Sequence, residues 1–366
     1  MSFASLFTPA EGTYLLSHSA GRPPLAAREA LASGFLTPWE CGAGEPWGTW
    51  MATVDGFRLA LAELLGVDVA DLCPQSSLSD ALFRLVDALP ADRRRRAVLL
   101  HEDDFPSMGF ALSRTGLELR FMPRSEDPRD PQNWARRMTP DVGLMLITHA
   151  QSNTGRCLPV AELCALARAS GCLSIIDVAQ SAGVLPVQPL AWGADAVIGS
   201  SVKWLCGGPG AGFLYVRRDL ADSCTPRAIG WFAHAEPFAF DIHDFRDHPG
   251  ALRFQCGTPS VAPFAIAAAG IRLIHDIGIE AVLAHNRRLT RMLIEAVDPA
   301  WVRSPADDAG RTGTVVLDAG PRQQEIASRL RAASVYFDIR PTGMRLSPHV
   351  YTSAADMNAV IDCLTG

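Results

Sequence analysis

Several features are missing from this chain of 366 residues. No apolar run reaches the ~18 residues that a membrane-spanning helix needs, so no membrane partner is expected. The opening stretch "MSFASLFTPAEGTYLL" has no basic segment followed by an apolar core, and no secretory signal is expected there. Basic charge is not in excess. Lys and Arg number 33 against 39 Asp and Glu, a net charge of −6. That argues against nucleic acid, whose binding rests on cationic surface. The one basic run, Arg93 to Arg96, lies between a helix pattern and a strand pattern and reads as a solvated turn. Nine cysteines are present, but none forms a CxxC pair or joins histidine at zinc-like spacing, so no metal site is expected. Their odd number and apolar settings read as free thiols in a reducing, cytoplasmic compartment. Internal repeats and low-complexity tracts are absent too.

What is present is an ordinary globular composition, 48% hydrophobic, with strand and helix patterns in alternation. "AVLLHE" (97–102), "DVGLMLITHA" (141–150), "CLSIIDVA" (172–179), "ADAVIGS" (194–200) and "AGFLYV" (211–216) read as short buried strands. "TVDGFRLALAELLG" (53–66) and "LPVAELCALARASG" (158–171) read as helices that stop at glycine. Such alternation predicts an α/β fold with a mainly parallel sheet between helices. After about residue 255 come two long helix patterns and then short strands and helices, with "VYFDIR" (335–340) read as one strand, which predicts a small α+β C-terminal domain. The expected division is an arm at 1–50, a large domain at 51–275 and a small domain at 276–366.

In open α/β sheets, ligands bind beyond the carboxyl ends of the strands. Asp177 lies at one such end. His149 and Ser152 lie at a second, Ser200, Ser201 and Lys203 at a third, and Glu102, Asp103 and Phe105 at a fourth. A buried acid and a buried lysine are costly unless something lies between them. Pyridoxal 5'-phosphate wants this set. It takes a lysine amine for a Schiff base, a carboxylate against the pyridine nitrogen, a flat group over the ring, and small donors around the phosphate. Gly207, Gly208 and Gly210 allow a tight turn after Lys203. Read singly, Asp177 could cap a turn and Lys203 could be a surface residue.

The stretch 174–216 resembles the class V aminotransferase group of pyridoxal-phosphate enzymes of fold type I, and within it kynureninase most. "YLLSHSAGRPP" (14–24), "FPS" (105–107), "GWFAHAEPFAF" (230–240) and "CGTPS" (256–260) are similar to kynureninase segments. The resemblance implies that Lys203 carries the Schiff base, that Asp177 pairs with the pyridine nitrogen and that Phe105 stacks on the ring. It implies phosphate contacts from Ser76 and Ser77 at a helix start, from Ser200, and from Trp231 and Thr258 of a neighbouring subunit, hence a homodimer with its site at the interface. Ser152 and Gln180 join the cofactor set. Arg345 would grip the carboxylate of an amino-acid substrate, with Ser19 in the substrate loop. The expected course is an external aldimine and a quinonoid, followed by lyase or hydrolase cleavage of a C–C or C–S bond.

Three positions depart from the kynureninase pattern. Gln180 stands where that family has histidine, Val202 where it has tyrosine, and Met108 where it has aspartate. Glutamine at 180 is similar to the cysteine desulfurase branch, but residues 335–350 contain no cysteine to form a persulfide. "RLSPHVYTSAADM" resembles the isopenicillin-N-epimerase-like and C–S lyase-like branch. A class V aminotransferase, an epimerase-like enzyme and a non-catalytic cofactor-binding homologue therefore stay open. Ser76 and Ser77 could instead cap a helix, Trp231 and Phe105 could be core, and Arg345 could be a surface residue. His234 and His349 are possible acid/base groups. The tryptophans at 39, 47 and 50, with loops 17–22, 41–50 and 230–245, are candidates for the side-chain pocket.

Overall fold

The seven residues of "VGLMLIT" are all buried, although neighbours in a strand point to opposite faces. Both faces of that strand must therefore be covered. The computed structural model of the chain describes residues 3–41 and 44–366 and shows how. Its strands, in chain order, are β1 (Thr13–Tyr14), β2 (Leu72–Gln75), β3 (Ala97–His101), β4 (Glu118–Met122), β5 (Val142–Thr148), β6 (Leu173–Asp177), β7 (Ala196–Ser200), β8 (Gly212–Val216), β9 (Val315–Leu317), β10 (Val335–Tyr336), β11 (Asp338–Arg340) and β12 (Gly343–Leu346).

Seven of them form one sheet in the order β2-β8-β7-β6-β5-β3-β4. Pairing is parallel from β4 through β7, and β8 is antiparallel to both its neighbours. The sheet's residues divide between two cores. Leu99, Met145, Ile147, Ile176 and Val197 pack under the helices Trp47–Leu65 and Ala262–Ile277. Val98, Leu144, Leu146, Ile175 and Ile198 pack under Leu78–Ala88 and Pro106–Leu112. Each fully buried Leu, Ile or Val contributes about 1.5–3 kcal/mol relative to exposure, so alternate residues of one strand hold two helix layers.

The expected α/β fold with a mainly parallel sheet is present. The helix expected at 53–66 begins earlier, at Trp47, and ends at Gly66, whose φ of 64° closes it. Two edge strands were not legible. β2 contains Pro74, and β4 carries Glu118 and Arg120, both features that edges tolerate and central strands do not.

The chain runs outward from β3 to β4 but the other way from β5 through β7. The loops after β3 and β5 therefore diverge and open a crevice. Beyond Gly278 the helix Ile279–Ala296 leaves the large sheet for a third core around the antiparallel sheet β11-β12-β9. The segment expected as one strand, "VYFDIR", is split. β10 pairs with β1 of the N-terminal arm and β11 pairs with β12. The arm thus docks on the C-terminal region, with Leu15 fully buried in its core.

Candidate active site

Asp177 ends β6, one strand in from the crevice, opposite Thr148 of β5 and Ile198 of β7. It is 4% exposed. One carboxylate oxygen accepts the Ala179 backbone N–H at 2.8 Å. The other makes no hydrogen bond among the described residues. Burial raises its pKa, against the opposing pull of the Ala179 N–H and of Lys203. Asp104, also buried, is pushed up to about 7 by burial, with a smaller push from Asp177.

Lys203 follows β7 in the turn "SSVKWLCGG". Burial lowers its pKa, and the Arg345 charge lowers it further, while Asp177 raises it. Its amine lies 5.8 Å from the centre of the Phe105 ring and has no hydrogen-bond partner among the described residues. The N-terminal arm packs on its backbone. Gly21 donates to the Val202 carbonyl at 2.8 Å, and a Cβ on Gly21 would lie 2.0 Å from the Lys203 carbonyl oxygen, so only glycine fits there.

Asp177, Lys203, Phe105, Gln180, Ser152, Ser200 and Ser77 line one cavity of about 240 Å³. Met108 and Val202 line it too, so all three departures from the kynureninase pattern face the same space, and these two make it more apolar. Gln180 is fixed at both ends: its amide N–H donates to the His18 carbonyl at 2.9 Å, and its oxygen accepts from the Trp204 indole at 3.3 Å.

Ser77 is the N-cap of helix Leu78–Ala88, its hydroxyl accepting the Asp80 N–H at 3.1 Å. It caps the helix and faces the cavity at once. The helix N-terminus there favours an anion. Ser76 turns away, donating to Asp80 at 3.1 Å beside Thr258 in a separate groove. Trp231 donates to Thr258 at 3.3 Å, and neither lines the Lys203 cavity of its own chain.

Arg345 on β12 is 4% exposed. The β11–β12 register sets it opposite Asp338. Its Nε donates to Asp338 Oδ1 at 2.7 Å, its Nη2 to Asp338 Oδ2, and its Nη1 to the Ser152 carbonyl at 3.1 Å. Arg345 is thus no surface residue, and it reaches the cavity wall at Ser152. This pairing was not foreseen, although an acid and an arginine flanking "RPTG" are a readable hairpin signal. Ser19 is exposed and outside the cavity lining.

Other candidates are structural. His234 is buried, its ring held between the Glu236 backbone and the Asp244 carbonyl. His349 is fully buried, contacts the Trp204 carbonyl at 2.8 Å and is pushed down to about 4 by burial. Trp39, Trp47 and Trp50 form an aromatic cluster with Trp231 and Phe35 away from the cavity. Gly42 and Ala43, within the loop 41–50, lie outside the described residues. Among the described residues, no group of His, Cys, Asp and Glu could hold a metal ion and no helix is long and apolar enough to cross a membrane.

Residues 95–332 match the family described as Aminotransferase class-V. The chain belongs to that family. A kynureninase of Deinococcus radiodurans is 29% identical over 98% of this chain and 92% of its own length. An uncharacterised aminotransferase of Bacillus subtilis is 26% identical over 87% of this chain and 85% of its own. The solved cystine C–S lyase C-DES, with its product cysteine persulfide, superposes with a TM-score of 0.86 at 21% identity over 97% of this chain and 98% of its own. A cysteine desulfurase of Thermococcus onnurineus superposes at 0.83 with 21% identity, covering 96% and 93%. The class V fold-type-I architecture is therefore that of this chain. It is a pyridoxal-5'-phosphate-dependent enzyme of a family that acts on small amino-acid substrates. The residues present suit that cofactor: a buried acid with one oxygen free and an amine without a partner among the described residues meet a capped helix start in one cavity.

Proposed function

We propose that this enzyme is a kynureninase-like lyase or hydrolase that breaks a C–C or C–S bond in an amino-acid side chain. The observation that carries the reading is the single cavity shared by Asp177, Lys203, Phe105 and Ser77. When bound there, pyridoxal phosphate supplies an electron sink for the bonds around the substrate's Cα. Asp177 would turn its free oxygen to the pyridine nitrogen and keep it protonated. Phe105 would cover the ring face. Ser76, Ser77, Ser200 and the helix start would hold the phosphate, with Trp231 and Thr258 of a neighbouring subunit completing that contact across a homodimer interface. Lys203 would carry the cofactor and then move the Cα proton. Its depressed pKa leaves more of the amine neutral near pH 7, as a base requires. Arg345 would hold the substrate carboxylate, with Ser19 and Ser152 nearby. The arm 1–50 and the unit 276–366 would together close over the large unit 51–275.

The bond broken lies beyond Cβ. A C–C cleavage would split Cβ–Cγ, with water giving its OH to the acyl fragment and a proton to Cβ so that alanine leaves. A C–S cleavage would release a thiol (a persulfide from a disulfide) from Cβ, with the other three carbons taking up water and leaving as pyruvate and ammonia. Gln180, Met108 and Val202, all facing the cavity, favour the C–S reading. Aminotransfer and epimerisation are the rivals, and a non-catalytic cofactor-binding role is the third. The test is turnover of kynurenine, cystine and an amino-acid panel, with products identified by mass spectrometry. A thiol or persulfide released with pyruvate and ammonia, or an aromatic acid released with alanine, supports cleavage; a keto acid that keeps the substrate's whole side chain, or a D-amino acid, overturns it.

A further inference from the structure

Arginine has five N–H donors. In Arg345 the single Nε–H is spent on Asp338 Oδ1, one Nη2–H on Asp338 Oδ2 and one Nη1–H on the Ser152 carbonyl. What remains is one N–H on each terminal nitrogen, two donors for one carboxylate. Asp338 is itself held. His18 Nε2 lies 3.0 Å from Asp338 Oδ1, and His18 Nδ1 lies 2.7 Å from the Ser347 hydroxyl, which is 2.7 Å from Thr314 Oγ1. An ionised carboxylate only accepts, so the histidine proton sits on Nε2. Nδ1 then accepts from Ser347, whose oxygen accepts from Thr314. The polarity of the whole chain is set by Asp338. The His18 ring is buried and its carbonyl accepts from Gln180, which ties the arm to the cavity wall.

We propose that Asp338 and His18 are positioning residues for a carboxylate clamp. Asp338 occupies the side-on edge of Arg345, His18 fixes Asp338, and Arg345 offers its two remaining donors to one substrate carboxylate. This rests on the reading of Arg345 given above. An unclamped guanidinium takes a carboxylate on either edge and leaves Cα in two places relative to Lys203. A clamped one leaves it in one. Asp338, which also meets Arg340 Nε at 3.3 Å, offsets part of the charge of Arg345, so geometry adds to attraction in selecting the substrate.

The test uses the cofactor-loaded protein. L-Alanine and ethylamine, the same amine without a carboxylate, are titrated while the cofactor's visible absorbance is followed. Native protein should respond to alanine at a concentration at least about tenfold lower, the effect of one charge-assisted hydrogen bond. Arg345→Gln should abolish that preference. Asp338→Asn and His18→Leu should reduce it about fivefold or more while the ethylamine response and cofactor content hold. His18→Gln, which keeps an N–H for Asp338, should recover most of it. If Asp338→Asn does not fold, the two His18 variants carry the test. A preference kept or increased in Asp338→Asn or His18→Leu would make Asp338 a competitor for Arg345 and overturn the proposal. A preference that survives Arg345→Gln, or is missing from the native protein, would instead sink the clamp reading of Arg345 itself.

Discussion

Two aspartates with nearby cations, one on the large sheet and one on the small, are driven in opposite directions. Asp177, on the large sheet, has its pKa raised by burial because one backbone N–H and the Lys203 charge do not make up for lost water. Asp338, on the small sheet, is held well below the usual carboxylate range, since hydrogen bonds from Arg345 and His18 outweigh its burial. The cations differ in the same way. Lys203 has no hydrogen-bond partner among the described residues, whereas Arg345 has three bonds. A satisfied pair is a part of the fold. An unsatisfied pair lining a cavity is poised for something that comes from outside.

That contrast can be broken at its poised end first. Lys203→Ala should remove the visible cofactor band and cut turnover by about 10³-fold or more, in the range that a positioned acid/base contributes. A retained band in the variant would show that another amine carries the cofactor. Asp177→Asn should leave the protein folded but lower kcat by about 10²-fold, because a neutral amide cannot hold the ring nitrogen protonated. Stopped-flow or steady-state rates at saturating substrate check this, and unchanged rates would remove Asp177 from the reaction.

The satisfied end should respond more mildly and in a different parameter. Arg345→Gln should raise KM for the substrate by about 10- to 100-fold, the worth of charge-assisted hydrogen bonds, with cofactor content unchanged. Equal loss of cofactor and substrate binding would make Arg345 structural.

The smallest effect sharpens the comparison through pH. Burial pushes Asp104 from 3.8 up to about 7, so between those values the folded chain binds the proton more strongly than the unfolded one. Stability from this group is therefore lost as pH rises across that window. In cofactor-free protein, Asp104→Asn should be more stable than the native chain at pH 8, by about 2–4 kcal/mol at most, and nearly equal to it at pH 4. Thermal unfolding at both pH values checks the sign, and a variant less stable at pH 8 would show that Asp104 is stabilised as a carboxylate.

Part of this was legible before any coordinates. The central strands announce themselves because both their faces are buried, which leaves unbroken apolar runs such as "VGLMLIT". Asp177 and Lys203 stand out because charge is costly at the ends of such runs. The edge strands β2 and β4 were hidden because an edge needs no such run and tolerates Pro74, Glu118 and Arg120. The break of "VYFDIR" into β10 and β11 was hidden because nothing local says that the arm will take Val335 and Tyr336 as partners.

The amino-acid order by itself determined the α/β alternation, the strand ends that bear chemistry, and the types of group brought there, since periodicity and the cost of burying charge act locally. Tertiary structure alone decided which of those groups meet. It put Ser77 in the cavity and Ser76 outside it, although they are neighbours, because an N-cap serine and the residue before it face different ways. It enclosed His234 and His349, and it set Asp338 opposite Arg345 through strand register. Contacts between residues hundreds of positions apart, such as His18 with Asp338, follow from how layers dock, and no local pattern encodes them.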